Sequence, residues 1–307
     1  SDDSFKHESV SHSTTVLAVW DGQSLCHSAA GEQTVGVILN ETPFYAEAGG
    51  QVGDRGVVVS GENVFVVHDT HKQGDYILHI GTCESGEIAC GMNVEATVCS
   101  ELRSHTEKNH TMTHLLNHAL RNVLGEDVHQ KGSLVDEEKL RFDFSHGHAV
   151  TDKQLHSIEQ EVIAAIEDDL TVDAKVVPLD DALNICGLRA VFGERYPDPV
   201  RVVSIGEAID KLLENPSNHD WMKYSIEFCG GTHLQSSKEA ECFAILHEHA
   251  LASGVRRMTA VTGQRAKDVH DAGAQLMSEI EQTKMLTGDS LVQSYGELVK
   301  KAEDSAL

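Results

Sequence analysis

The sequence predicts an α+β fold: a small antiparallel β-barrel, then a mixed domain built around a zinc site, then a C-terminal helical segment. Three observations carry this. Short Val-, Ile- and Thr-rich runs fill the first hundred residues. A strongly patterned helix follows, and it carries paired histidines. Far downstream stands a glycine-hinged Cys/His pair, Cys229-Gly230-Gly231-Thr232-His233.

The barrel comes first. Residues 14–20, 33–39, 56–59, 64–67 and 94–99 read as short strands, separated by Gly, Asn and Asp clusters. Such spacing suggests a closed antiparallel sheet, and its domain is assigned to residues 1–100. Phe44-Tyr45-Ala46-Glu47-Ala48-Gly49-Gly50-Gln51 interrupts the run. Two adjacent glycines there make a turn, or let backbone approach a neighbour or ligand closely.

The second domain, residues 101–262, opens on a helix over 105–124. Ser104 and Glu107 fit a capping box, Gly125 a C-terminal stop. Met112, Leu115, Leu116, Ala119, Leu120 and Val123 form the apolar stripe. A second helix is expected over 151–170, capped by Thr151 with Gln154. Residues 140–144, 200–205 and 243–246 read as strands. From 263 to 307 the chain reads as helical and charged, with sparse apolar positions: a peripheral helix, or the start of a coiled coil.

His110 and His114 lie four apart, so a helix puts them on one face. The glycines let Cys229 and His233 turn toward one point. Neutral imidazole and thiolate suit zinc, bound at about 2.0–2.3 Å. His118 extends the row, but 3.6 residues per turn rotate it away, so it is read as a neighbour rather than a ligand. Thr111 stands where HExxH proteases carry their general base, and neither the deaminase signature nor a P-loop is present.

Composition limits the rest. The chain has 307 residues, and a net charge of −25 argues against a broad nucleic-acid-binding face. A polyanion would need a local basic surface, such as Arg256-Arg257 or Lys131 with Arg141. Seven scattered cysteines suggest thiols in a reducing compartment. No apolar run approaches the roughly 18 residues of a membrane span. The expectation is a cytoplasmic protein without membrane attachment.

Several words together resemble alanyl-tRNA synthetase, specifically its editing domain and the free-standing editing proteins related to it. They are Asn109-His110-Thr111-Met112-Thr113-His114-Leu115-Leu116, Gln130-Lys131-Gly132-Ser133, Leu140-Arg141-Phe142-Asp143-Phe144-Ser145-His146 and Cys229-Gly230-Gly231-Thr232-His233. The glycine word at 44–51, Tyr196-Pro197-Asp198-Pro199-Val200-Arg201-Val202-Val203 and the stretch 254–263 agree with them. The resemblance covers about residues 35–263. Met112 replaces the family's usual Ala, beside a ligand.

The resemblance implies hydrolysis of mischarged alanine tRNA carrying serine or glycine. It implies zinc on His110, His114, Cys229 and His233. Thr113 and Gln130 become the catalytic candidates, and Gly230 and Gly231 the substrate-binding ones. Without the resemblance, Thr113 reads as a helix residue bonded to its own turn, Gln130 as a loop amide, and the glycines as a hinge. No aminoacylation domain is recognisable, so the expectation is a segment of a synthetase, self-associating through parts beyond it. Two alternatives stay open: a zinc-structured tRNA-binding module without hydrolysis, and a stand-alone trans-editing deacylase.

Overall fold

The computed structural model describes residues 1–190 and 195–305. The first hundred form a six-stranded antiparallel barrel. In spatial order its strands are Ser11–Trp20, Val35–Leu39, Tyr76–Ser85, Asn63–Gln73, Gly56–Ser60 and Asn93–Val98. The last pairs back onto the first, from Ser11 with Thr97 to Thr15 with Asn93. Alternation drives this closure. In Asn93–Val98, Val94, Ala96 and Val98 face in, while Glu95 is exposed. They pack with Val37, Phe65 and Val67.

The strand Tyr76–Ser85 has no counterpart among the sequence-based expectations. Its inward positions are not all apolar, which hides the period-2 signal. His79 is fully buried, between Thr42 Oγ1 at 2.7 Å and the Val37 carbonyl at 2.9 Å. Burial holds its ring at a pKa of about 4. Gly81 packs against the Val66 carbonyl so closely that a Cβ would overlap it.

The long helix is Ser100–Leu124. It begins one turn before the expected start, so Ser104 lies inside it and forms no cap. Cys99 is the N-cap and gives no side-chain bond. Tertiary contacts fix this end instead: Arg103 makes a bidentate ion pair with Asp54 of the barrel, and donates to the carbonyls of Lys6 (3.0 Å) and Pro43 (2.8 Å). Both charged side chains are buried.

The helix packs on a four-stranded sheet, ordered Gln130–Val135, Leu140–Ser145, Val255–Thr262, Phe243–Ala252. Met112, Leu116, Leu120, Phe142, Phe144 and Ile158 share this core. The second helix is Asp152–Glu167, with the expected Thr151/Gln154 capping box. A third sheet orders Val172–Val177, Val200–Ile205, Ser225–Phe228 and Leu188–Arg189, the last pair being parallel. The C-terminal segment forms two helices, Gly263–Thr283 and Asp289–Ser305. Residues 306–307 of the expected segment lie outside the described residues. No described helix is long and apolar enough to cross a membrane.

Two predictions follow from these joints. Removing one partner of a buried ion pair leaves an unpaired charge, at a cost of about 3–5 kcal/mol. Asp54→Ala should therefore lower unfolding free energy in urea by about that amount. Replacing both partners with apolar residues (Asp54→Leu with Arg103→Met) should recover most of the loss. The second concerns Glu241, which bridges Lys108 of the long helix and Lys267 of the helix Gly263–Thr283. Their hydrogen bonds hold its carboxyl at about 2, below the ordinary 4.5. Its contribution is complete above about pH 4.5 and fades as pH falls toward 2. Glu241→Gln should flatten that part of the acid-denaturation curve.

Candidate metal centre

The long helix carries His110 and His114 inward from its middle, both buried. The loop after the strand Ser225–Phe228 brings Cys229 and His233 to the same point. One donor atom from each of the four lies within 4.8 Å of every other. Cys229 Sγ is 3.4 Å from His110 Nε2 and 3.3 Å from His233 Nε2. Zinc bonds of about 2.0–2.3 Å in a tetrahedron separate neighbouring donors by about 3.3–3.8 Å, so these spacings fit.

The protonation states fit as well. Burial pushes His110 and His233 well below the ordinary imidazole range, and His114 to about 3. All three are neutral donors at pH 7. Burial pushes the Cys229 thiol up to about 11, against the pull of the Gly231 N–H and Arg201. A buried thiol of this kind ionises when a cation compensates it. His114 Nδ1 is buried with no hydrogen-bond partner among the described residues, the kind of orphaned atom that a bound ion satisfies. The residues therefore fit zinc.

A layer of side chains aims the ligands. Gln51, from the glycine word of the barrel, is buried. Its Oε1 lies 2.7 Å from His110 Nδ1 and accepts the Thr232 N–H at 3.0 Å. Its Nε2 donates to Thr232 Oγ1 at 3.0 Å. With Nδ1–H given to Gln51, His110 presents a bare Nε2 to the cluster. Thr111 does the same for His233, whose Nδ1 is 3.2 Å from Thr111 Oγ1. Arg201 Nη1 donates to the carbonyls of Cys229 (2.8 Å) and Gly231 (2.9 Å), fixing the loop. Asn117 donates to Glu227 at 2.8 Å, and Glu227 lies 3.8 Å from His114 Nε2.

The two glycines of the loop differ. A Cβ on Gly231 would overlap the His110 ring and stand 2.6 Å from Gln51 Oε1. Its N–H points at Cys229 Sγ, 3.4 Å away. Gly230 has open space beside it and is exposed at the cleft. In the barrel word, Gly50 at φ +88° leaves no room for a Cβ against the Ser133 carbonyl. Its own carbonyl accepts the Val135 N–H at 2.7 Å. This contact joins the barrel loop to the strand Gln130–Val135 and seats Gln51 at the centre.

A cleft of about 760 Å³ opens over the cluster. Thr113 and Gln130 both line it. Thr113 Oγ1 donates to the Asn109 carbonyl at 2.8 Å, the local helix bond the sequence allows. Gln130 Nε2 donates to Ser133 Oγ at 3.3 Å. His118 is outside the cluster and lies 3.1 Å from Arg189 Nη2. Seven of the eight expected site residues thus line one cleft, and the eighth, His233, joins three of them in the cluster beneath it. Sequence reasoning passed over Thr111, Asn117, Arg201, Glu227 and Thr232, which are unremarkable until the loop closes. Gln51 had a visible signal, because it follows the double glycine.

Two family descriptions match this chain. "tRNA synthetases class II (A)" covers residues 1–102, and "Threonyl and Alanyl tRNA synthetase second additional domain" covers residues 200–259. The cytoplasmic alanine–tRNA ligase of Dictyostelium discoideum is 43% identical over 303 residues, 97% of this chain and 32% of that protein. The chain belongs to the alanyl-tRNA synthetase family. Its residues correspond to the editing-domain region of that family. The mitochondrial alanine–tRNA ligase of Saccharomyces cerevisiae is 43% identical over 281 residues, covering 91% of this chain and 29% of that protein. That of Schizosaccharomyces pombe is 46% identical over 273 residues, covering 87% and 28%. The chain thus spans about a third of the length of these curated relatives.

In this synthetase-family site, outer hydrogen bonds to metal-binding histidines are typically worth 10–100-fold in affinity. Gln51→Ala should weaken zinc binding by about that factor, read by competition with a chromophoric chelator, while the barrel stays folded. Gly231→Ala should weaken it further, because its Cβ displaces the His110 ring.

Proposed function

We propose that this chain hydrolyses the ester joining serine or glycine to the 3′ end of alanine tRNA, as the editing part of an alanyl-tRNA synthetase. The observation that carries the reading is the meeting of His110, His114, Cys229 and His233 under a cleft that Thr113 and Gln130 line. The need for such a site is physical. An alanine pocket rejects glycine, one methyl smaller, by only about 1–3 kcal/mol, and an added hydroxyl by about a hundredfold.

The division of labour follows the chain. Residues 1–100 form the barrel domain that delivers Gln51. Residues 101–262 form the zinc domain, and 263–307 the helical extension. His110, His114, Cys229 and His233 hold the zinc. Bound there, it supplies a charge that polarises the ester carbonyl, lowers the pKa of a water or orients the terminal ribose.

Thr113 selects the amino acid. Its proton is spent on the Asn109 carbonyl, so toward the cleft its hydroxyl oxygen acts as an acceptor. A serine hydroxyl can donate to it, and the methyl of alanine cannot. Gln130 orients the ester or a water from the opposite strand. Gly230, with open space beside it, leaves room for the acyl group, and Gly231 sets the backbone of the same turn. The partner is tRNA, the working compartment the cytoplasm, and any self-association belongs to parts beyond this segment.

The test is deacylation of serine-charged alanine tRNA by the zinc-loaded chain, beside alanine-charged tRNA. Serine release that spares alanine, and its loss in folded Cys229→Ala, are expected. Thr113→Val should lose about tenfold in serine selectivity, the worth of one neutral hydrogen bond. A closed four-ligand site also suits a structural zinc. If the folded, loaded chain binds the tRNA without releasing serine, that reading replaces this one.

A further inference from the structure

We propose that Arg189 is the phosphate-binding residue of the cleft, holding the phosphodiester on the 5′ side of the substrate's terminal adenosine. This deepens the editing reading and rests on it for the identity of the substrate.

Arg189 ends the short strand Leu188–Arg189 and lines the same cleft as the metal ligands. Its Nη2 lies 3.1 Å from His118 Nδ1. Its Nε and Nη1 are shielded from solvent and have no hydrogen-bond partner among the described residues. Glu227 is its neighbour in the parallel register, but that carboxylate accepts from Asn117 and faces His114. Among the described residues, no ion pair joins Arg189 to an acidic side chain. Burial lowers its pKa to about 10, opposed by the charge of Glu227 and aided by the like charge of Arg121, so it remains a cation at neutral pH.

Arg121 lines the same wall; its Nη2 pairs with Glu126, while its Nε has no hydrogen-bond partner among the described residues. Lys131 stands on another part of the rim. Shielded guanidinium N–H groups left without acceptors are costly, and the nearby Glu227 carboxylate compensates the charge without accepting from them. A folded protein keeps them where a ligand supplies the missing acceptors. The planar fork of arginine matches two phosphate oxygens. The cleft, at about 760 Å³, lies within the usual range of roughly 300–1,000 Å³ for small-ligand sites and can hold one nucleotide. In a chain of net charge −25, such a local cation determines where a polyanion can enter.

Two measurements test this on the zinc-loaded chain. The first is binding of adenosine 5′-monophosphate and of adenosine by titration calorimetry, to the parent and to Arg189→Met. The parent should prefer the phosphorylated ligand by about tenfold or more. Arg189→Met should erase that preference and leave adenosine binding and zinc content unchanged. Arg189→Lys should restore part of it. Equal affinity of the parent for both ligands, or equal loss of both in the variant, overturns the proposal.

The second is hydrolysis of serine esterified to each ligand. Arg189→Met should raise KM for the phosphorylated ester and leave the unphosphorylated one alone. Equal effects on both esters would also overturn it. A parent that binds the phosphorylated ligand preferentially but hydrolyses neither ester would refute the editing reading and leave the anion site standing.

Discussion

Four donor groups from distant parts of the chain must be buried together without a charge among them. This is the constraint on which the rest of the structure depends. Three imidazoles at these spacings repel one another if two of them are protonated. Burial keeps them neutral. The cost falls on desolvating polar atoms, and it is met by hydrogen bonds from outside the cluster. Gln51, Thr111 and Thr232 serve that purpose, and each comes from a different segment. The barrel is therefore part of the site rather than an appendage, since one of its loops orients a ligand of the other domain.

The same logic explains why glycine recurs where the elements meet. At Gly50 and Gly231, backbone from one segment lies against backbone or rings of another. A methyl group at either position would push Gln51 away from His110. The ion pair of Arg103 with Asp54 acts at the next level out, fixing where the long helix starts relative to the barrel. Helix register decides whether His110 and His114 face the loop, so an error of one residue at that joint would rotate both by about 100°.

The four donors that meet in the fold were legible in the sequence as two pairs spaced four apart, because such spacing is written in one dimension. The strand Val200–Ile205 was legible because Val and Ile dominate it, and Leu140–Ser145 because apolar and polar residues alternate along it. The strand Tyr76–Ser85 was hidden by His79 and Gly81, whose reasons are tertiary: one bonds across the barrel, the other makes room for a neighbouring carbonyl. The start of the long helix was misplaced for a similar reason. A local capping pattern at Ser104 competed with the ion pair of Arg103, and the buried ion pair prevailed. Arg201 stood inside a recognisable word without a visible role and Glu227 outside any, since their meaning is set by chain segments that reach them only after folding.

Charge sharpens the last step. Most of the surface of an acidic chain repels a nucleic acid, so on the proposed function an encounter would depend on the few cations with free donors at the cleft. Arg256 and Arg257, prominent in the sequence, are engaged by Glu248 and Asp143. Arg141 lies 3.9 Å from Asp143 as well. Pairing within the sheet engages Arg256 and Arg257, while Arg189, inconspicuous in the sequence, keeps two nitrogens at the cleft without a hydrogen-bond partner among the described residues. Arg189 and Arg121, whose Nε atoms lack partners among the described residues, lie on the cleft beside the His110, His114, Cys229 and His233 cluster, which is where the proposed anion site needs them.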